Sequence, residues 1–381
     1  MYEPFPGNYV WNLSVNICVG MGGAIGEIDK ANERVREIAK QGDDAGTEAF
    51  FSSWVSMADR IAELANEAEA AGHYLSAAKK YARATAYYVT AERMQNRHYA
   101  PRKQAYRTML QTMERAIIAG SLNCQRVEIP YERTSFPALF VKGHGAGPRP
   151  CMVFCNGLDS VKEMIYLCIR DEFAKRGISC LMIDQPGVGE ALRFGDLCAI
   201  ADSERWAAAA LDFLQSRKDV DHRRFGMMGW SLGGYYAPRA VAFEKRFNLC
   251  VAWGANHNWG ELQRRRLANE GDRPVPHYWD HVMWVWGKES LEAFMDYVPR
   301  ISLVGVVEKI AVPFLITHGA NDRQIPLADA HQSYNEAVNS PLRELKIFTK
   351  REGGVEHVSA DNMEPARSYI ADWIVQRFNE M

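Results

Sequence analysis

The string Gly229-Trp230-Ser231-Leu232-Gly233-Gly234 sets a serine between glycines two residues away on either side. The apolar run FGMMG before it suits a strand, and GYYAPRAVAF after it suits a helix. A serine on a tight strand-to-helix turn is lifted clear of the backbone, and small neighbours let the two elements approach. The chemistry open to such a hydroxyl is attack on a carbonyl, provided a base takes its proton. Its partners follow in the order acid, then histidine, each in a loop after a late strand. VPFLITHGANDRQIP supplies an apolar run and then Asp322, and LKIFTKREGGVEHVSA supplies another and then His357. His331 falls inside a predicted helix and His318 precedes the acid, so neither meets both requirements. Ser231, Asp322 and His357 are the expected catalytic set, with His357 as base and Asp322 fixing its tautomer.

The attack creates an oxyanion, which backbone N–H groups must hold. Leu232 supplies one, at a helix start where free amides and the dipole favour negative charge. The second is expected from CNGLDS, after the 151–155 strand, with Leu158 preferred and Gly157 the alternative. Glu261 is a candidate substrate-orienting carboxylate, with a solvated charge beside Arg264, Arg265 and Arg266 the preferred reading. Two other patterns fall short. Gly20-Met21-Gly22-Gly23-Ala24-Ile25-Gly26 has Ile25 where a dinucleotide loop needs its third glycine, which leaves a flexible N-terminal loop. His277 and His281 have metal spacing but lack the glutamate and a full ligand set. No cofactor and no metal are expected.

The elements that must position these residues are legible from period and punctuation. Residues 27–120 are rich in helix formers, and no proline interrupts them before Pro101. Helices are predicted over 51–69, 75–94 and 101–119, a helical cap segment within residues 1–124. From 125 to 381 strands alternate with helices. The strands are 126–131, 136–142, 151–155, 178–183, 224–229, 249–253, 312–317 and 345–348. The helices are 162–175, 203–215, 234–243, 327–338 and 364–378. That alternation predicts a mostly parallel, doubly wound α/β sheet. With the serine turn it predicts an α/β-hydrolase fold. Residues 255–308 break the rhythm as a helical insertion near the site. Its aromatic stretch from Trp279 to Trp286 is read as pocket wall rather than core.

Composition narrows the classes. Of 381 residues 47% are hydrophobic and 24% charged, with net charge -2, which builds no basic field for nucleic acid. Eight cysteines without a C-x-x-C pair, several in apolar runs, are read as buried free thiols in a reducing compartment. No basic leader and no run of about 18 apolar residues is present, so the expectation is a cytoplasmic protein off the membrane. A small molecule is the expected partner. A homodimer stays open, since helical caps of this kind often supply contacts.

Four strings together resemble one family. They are Gly157-Leu158-Asp159-Ser160 with Lys162-Glu163, Asp184-Gln185-Pro186-Gly187-Val188-Gly189-Glu190, the serine turn, and GVVEKIAVPFLITHGANDRQIP. They resemble the α/β-hydrolases grouped around 2,6-dihydroxypseudooxynicotine hydrolase, a carbon–carbon bond hydrolase, with fungal polyketide-shortening hydrolases and fermentation–respiration switch esterases close by. The match covers roughly residues 125–381. It implies that Ser231, Asp322 and His357 hold the triad positions and that the substrate is an activated ketone. Hydrolysis of a carbon–carbon bond in an acyl ketone or β-diketone-like compound is the leading expectation. The triad residues alone do not separate it from carboxylesterase, lactonase or amidase chemistry. An inactive hydrolase fold serving as a binding module is the reading from another class.

Overall fold

The computed structural model describes residues 1–169, 171–270 and 272–381. Its sheet contains β1 (Gln125–Tyr131), β2 (Thr134–Val141), β3 (Arg149–Cys155), β4 (Ser179–Ile183), β5 (Val220–Trp230), β6 (Leu249–Trp253), β7 (Phe314–Gly319) and β8 (Arg343–Phe348). The order is β1-β2-β4-β3-β5-β6-β7-β8. β1, β2 and β4 pair antiparallel, and every pairing from β4 across to β8 is parallel. This is the α/β-hydrolase architecture that the alternation predicts.

Every residue of β4, β6 and β7 is buried, as are the last six of β5. Parallel strands covered on both faces need continuous apolar runs, which is what these segments are. Because β3, β5, β7 and β8 run in one direction, their C-terminal ends share an edge. The loops with Leu158, Ser231, Asp322 and His357 all leave from that edge, where open α/β sheets build their sites.

Several boundaries differ from the sequence reading. β3 begins before Pro150, and its pairing with β5 slips between Arg149 and Cys151, where the proline has no N–H for the ladder. The helix expected over 162–175 appears as Lys162–Ile169 and Glu172–Lys175, with Arg170 outside the described residues. In the insertion, helices occupy Trp259–Leu267, Tyr278–Val285 and Leu291–Tyr297, and Gly271 lies outside the described residues.

The chain forms two compact units, Met1–Cys124 with Arg273–His281, and Gln125–Asp272 with Val282–Met381. The first is helical, with long helices Thr47–Ala70, Tyr74–Arg93 and Ala100–Ala119. Trp11, Phe50, Trp54 and Tyr87 form its aromatic core, with ring centroids 4.9 to 5.9 Å apart. Two helices precede them, Tyr9–Gly20 and Ile25–Glu33. They correct the flexible-loop reading of residues 20–26, since only a short turn separates them. Asn8 starts the first by accepting the Trp11 N–H at 3.0 Å. Among the described residues no helix is long and apolar enough to cross a membrane.

Candidate active site

β5 ends at Trp230, and Ser231 turns the chain into the helix Gly233–Phe243. Ser231 has φ +58, a left-handed conformation that costs a non-glycine residue about 1–3 kcal/mol. Two backbone bonds hold it there. The Ser231 N–H donates to Trp253 O at 3.0 Å, and Ser231 O accepts the Gly234 N–H at 2.8 Å. Gly234 is required by closeness: a Cβ on it would lie 2.0 Å from the carbonyl oxygen of Gly254, at the end of β6. The Leu232 N–H has no acceptor among the described residues.

His357 brings Nε2 to 2.8 Å from Ser231 Oγ. Its Nδ1 lies 3.0 and 2.9 Å from the two carboxylate oxygens of Asp322. Asp322 Oδ1 also accepts the N–H groups of Gln324 at 2.8 Å and Ile325 at 3.0 Å. Burial presses this carboxyl toward its neutral form, yet the neighbouring His357, then His318 and the Ile325 amide, hold it below the usual carboxylate range. Asp322 is therefore an anion when only 1% of its side chain meets solvent. That suits it to stabilise an imidazolium.

The order argument missed the residues that shape the histidine loop. Asp361 accepts N–H groups from Gly354 at 3.0 Å, Val355 at 3.2 Å and Glu356 at 2.8 Å. Past His357, Val358 and Ser359 take φ +45 and +59, a strained pair that this clamp offsets. A second tie runs beside the His357–Asp322 bond, where Asn321 Nδ2 donates to Glu356 Oε1 at 2.8 Å. An aspartate shortly after the histidine was the only signal available in the sequence.

The loop after β3 lies against the serine. A Cβ on Gly157 would come within 2.9 Å of Ser231 Cβ, so glycine keeps this approach open. The Gly157 N–H donates to Ser160 Oγ at 3.0 Å. The Gly157 N–H is thus engaged within its own loop, where Leu158 is buried beside it. Glu261 is not drawn inward: it is half exposed and faces Arg264 at 3.3 Å, the solvated-charge geometry. Of the aromatic stretch, Trp286 is core, packed on Tyr236, Trp259 and Tyr297 at centroid distances of 6.3, 5.7 and 5.6 Å. Trp279 and Trp284 are partly exposed. Chemically, the site offers a serine hydroxyl, a base within reach, a buried anion behind it and amides beside it.

The family model described as "Esterase FrsA-like" matches residues 51–259, more than half of the chain, and that of the prolyl oligopeptidase family matches residues 207–380. Among curated relatives, 2,6-dihydropseudooxynicotine hydrolase of Paenarthrobacter nicotinovorans is 26% identical over 328 residues, 85% of this chain and 83% of the relative. Hydrolase acrC of Aspergillus aculeatus is 26% identical over 371 residues, 83% of this chain and 85% of the relative. The crystal structure of 2,6-dihydroxy-pseudo-oxynicotine hydrolase matches with a TM-score of 0.77 at 24% identity, covering 94% of each chain. At that identity the likeness establishes the fold alone.

Proposed function

Because the chain belongs to the FrsA-like esterase family of α/β-hydrolases, we propose that it is a serine hydrolase cleaving a carbon–carbon bond in an acyl ketone or β-diketone-like small molecule. The observation that carries the hydrolase part is the unbroken run of hydrogen bonds Ser231–His357–Asp322 at one sheet edge. The bond type is taken from the resemblance to carbon–carbon hydrolases and from the relative that acts on a pseudooxynicotine.

Ser231 Oγ attacks the substrate carbonyl while its proton passes to His357 Nε2, and the Leu232 and Leu158 amides hold the oxyanion. As the tetrahedral intermediate collapses, the carbon–carbon bond breaks. The leaving carbon takes the electron pair as an enolate and is protonated by His357. Water, deprotonated by His357, then hydrolyses the acyl-serine, releasing a carboxylic acid and free Ser231. Asp322 stays ionised throughout. Ester hydrolysis by the same residues is the second reading, favoured by the family description as an esterase.

The test joins labelling with turnover. Wild type and Ser231→Ala are treated with a fluorophosphonate, weighed as whole proteins, and assayed on β-diketones and nitrophenyl esters. A single adduct and diketone cleavage, both lost in Ser231→Ala, is the expected result. Ester efficiencies of about 10⁴ M⁻¹s⁻¹ or more with no ketone cleavage would replace the first reading by the second. No adduct and no turnover by folded wild type would sink both and favour a binding module.

A further inference from the structure

Parts of two family strings stand outside the chemistry just described, Ser160 with Lys162 and Asp184 with Gln185, yet they meet around the loop that carries Leu158. At the loop's start, the Asn156 N–H donates to Gln185 Oε1 at 3.1 Å, and Gln185 Nε2 donates to Asn156 O at 3.0 Å. At its end, the Lys162 N–H donates to Asp184 Oδ1 at 2.8 Å, and Lys162 Nζ donates to Asp184 Oδ2 at 3.0 Å. Two consecutive residues leaving β4 therefore clamp both ends of 156–162. In the middle, Ser160 Oγ accepts both the Gly157 N–H at 3.0 Å and Trp230 Nε1–H at 2.9 Å, tying the loop to the neighbour of Ser231.

The clamp is ionic and dry. Lys162 and Asp184 are fully buried, and Asp184 Oδ2 also accepts the Glu190 N–H at 3.0 Å. Glu163 faces the same ammonium at 2.7 Å, and Glu190 binds it from the other side. Desolvating such a group costs more than stability alone justifies, since an apolar replacement of similar volume is often neutral or better. What an ionic cluster adds over an apolar one is direction, because each donor must meet a given oxygen.

We propose that Asp184, through Lys162 and together with Gln185, is a positioning residue that holds the 156–162 loop against Ser231 so that its backbone meets the oxyanion. The proposal rests on the reading of Ser231 as nucleophile. An oxyanion donor acts where charge develops, so displacing it weakens the transition state and leaves ground-state binding nearly untouched. A merely structural role would lower stability without that split.

The experiment compares wild type, Asp184→Asn and Gln185→Met. It reads kcat, KM and the inhibition constant of phenylboronic acid, whose serine adduct places an oxygen in the oxyanion position. The substrate is whichever ester or diketone wild type cleaves fastest, and thermal unfolding checks folding. Asp184→Asn is expected to lower kcat about 100-fold and to weaken the boronic acid by a similar factor, with KM within about 2-fold. Gln185→Met works at the other end of the loop without adding a charge, and is expected to show the same pattern should Asp184→Asn fail to fold. Folded Asp184→Asn or Gln185→Met with wild-type kcat overturns the proposal. If wild type neither reacts with a fluorophosphonate nor turns over, the hydrolase reading itself has failed, and the proposal falls with it.

Discussion

Asp322 faces His357 Nδ1 with both carboxylate oxygens, at 3.0 and 2.9 Å, across 35 residues of chain. Its Oδ1 is already held by the Gln324 and Ile325 amides. The carboxylate cannot swing away, so the ring it grips keeps Nε2 toward Ser231.

That grip predicts the effect of Asp322→Asn. The two amides need an acceptor and will hold the asparagine oxygen, which turns the NH2 toward His357 Nδ1. The ring must then accept at Nδ1 and carry its proton on Nε2, the wrong tautomer for a base. kcat is expected to fall roughly 10³- to 10⁴-fold with little change in KM. Steady-state kinetics check this. A loss below 10-fold would mean that Asp322 does not orient the base.

Asp361 serves the same histidine from below. Asp361→Ala leaves the N–H groups of Gly354, Val355 and Glu356 without their acceptor, beside the strained Val358 and Ser359. A stability loss on the order of 2–3 kcal/mol is expected, from charge-assisted bonds to a partly exposed group. A larger fall in kcat than in kcat for a comparably destabilised core variant would mark the loop as the cause. Denaturant midpoints and turnover on the same preparations supply both numbers.

Much of this site was readable because it is local. The serine turn declares itself within six residues, and the order serine, acid, histidine singles out Asp322 and His357, which do lie within hydrogen-bond distance of each other, with His357 also reaching Ser231. The clamps were not readable. Asp184 and Lys162 stand 22 residues apart, and nothing in either string says that one will take the other's amide. The helix Tyr9–Gly20 escaped periodicity for a different reason: its residues from Tyr9 to Cys18 are all buried, so no polar face alternates with an apolar one. Glu261 had the right place in the sequence, but its helix turns it toward Arg264 and solvent.

Gly234→Ala tests the elbow's geometry. The new Cβ would meet backbone, 2.0 Å from Gly254 O and 3.3 Å from Ala255 Cα, so no side chain can yield. The helix Gly233–Phe243 must move off β6, carrying Ser231 with it. Destabilisation above about 3 kcal/mol is expected, or a folded protein that no longer reacts with a fluorophosphonate. A stable and fully reactive Gly234→Ala would show that the contact is softer than its distance implies.

Glu163→Gln should change how stability follows pH. Burial pushes the Glu163 carboxyl up, Lys162 opposes this, and Asp184 and Glu190 add to it, with the balance at about 7. In the unfolded chain a glutamate titrates near about 4.3. Below that value both states hold the proton and Glu163 exacts no penalty. As pH rises toward 7 the unfolded chain sheds a proton that the folded chain keeps, so the unfolded state gains, by at most about 1.4 kcal/mol per pH unit. Above 7 both states have lost it and the difference stays constant. Glutamine resembles the protonated form at every pH. Relative to Glu163→Gln, wild type is therefore expected to lose stability between about pH 4.5 and 7 and to change no further on either side. Denaturant unfolding across pH 4 to 9 for both proteins measures the difference. Parallel curves through that window would mean that Glu163 is ionised in the folded protein and that Lys162 is balanced by three carboxylates rather than two.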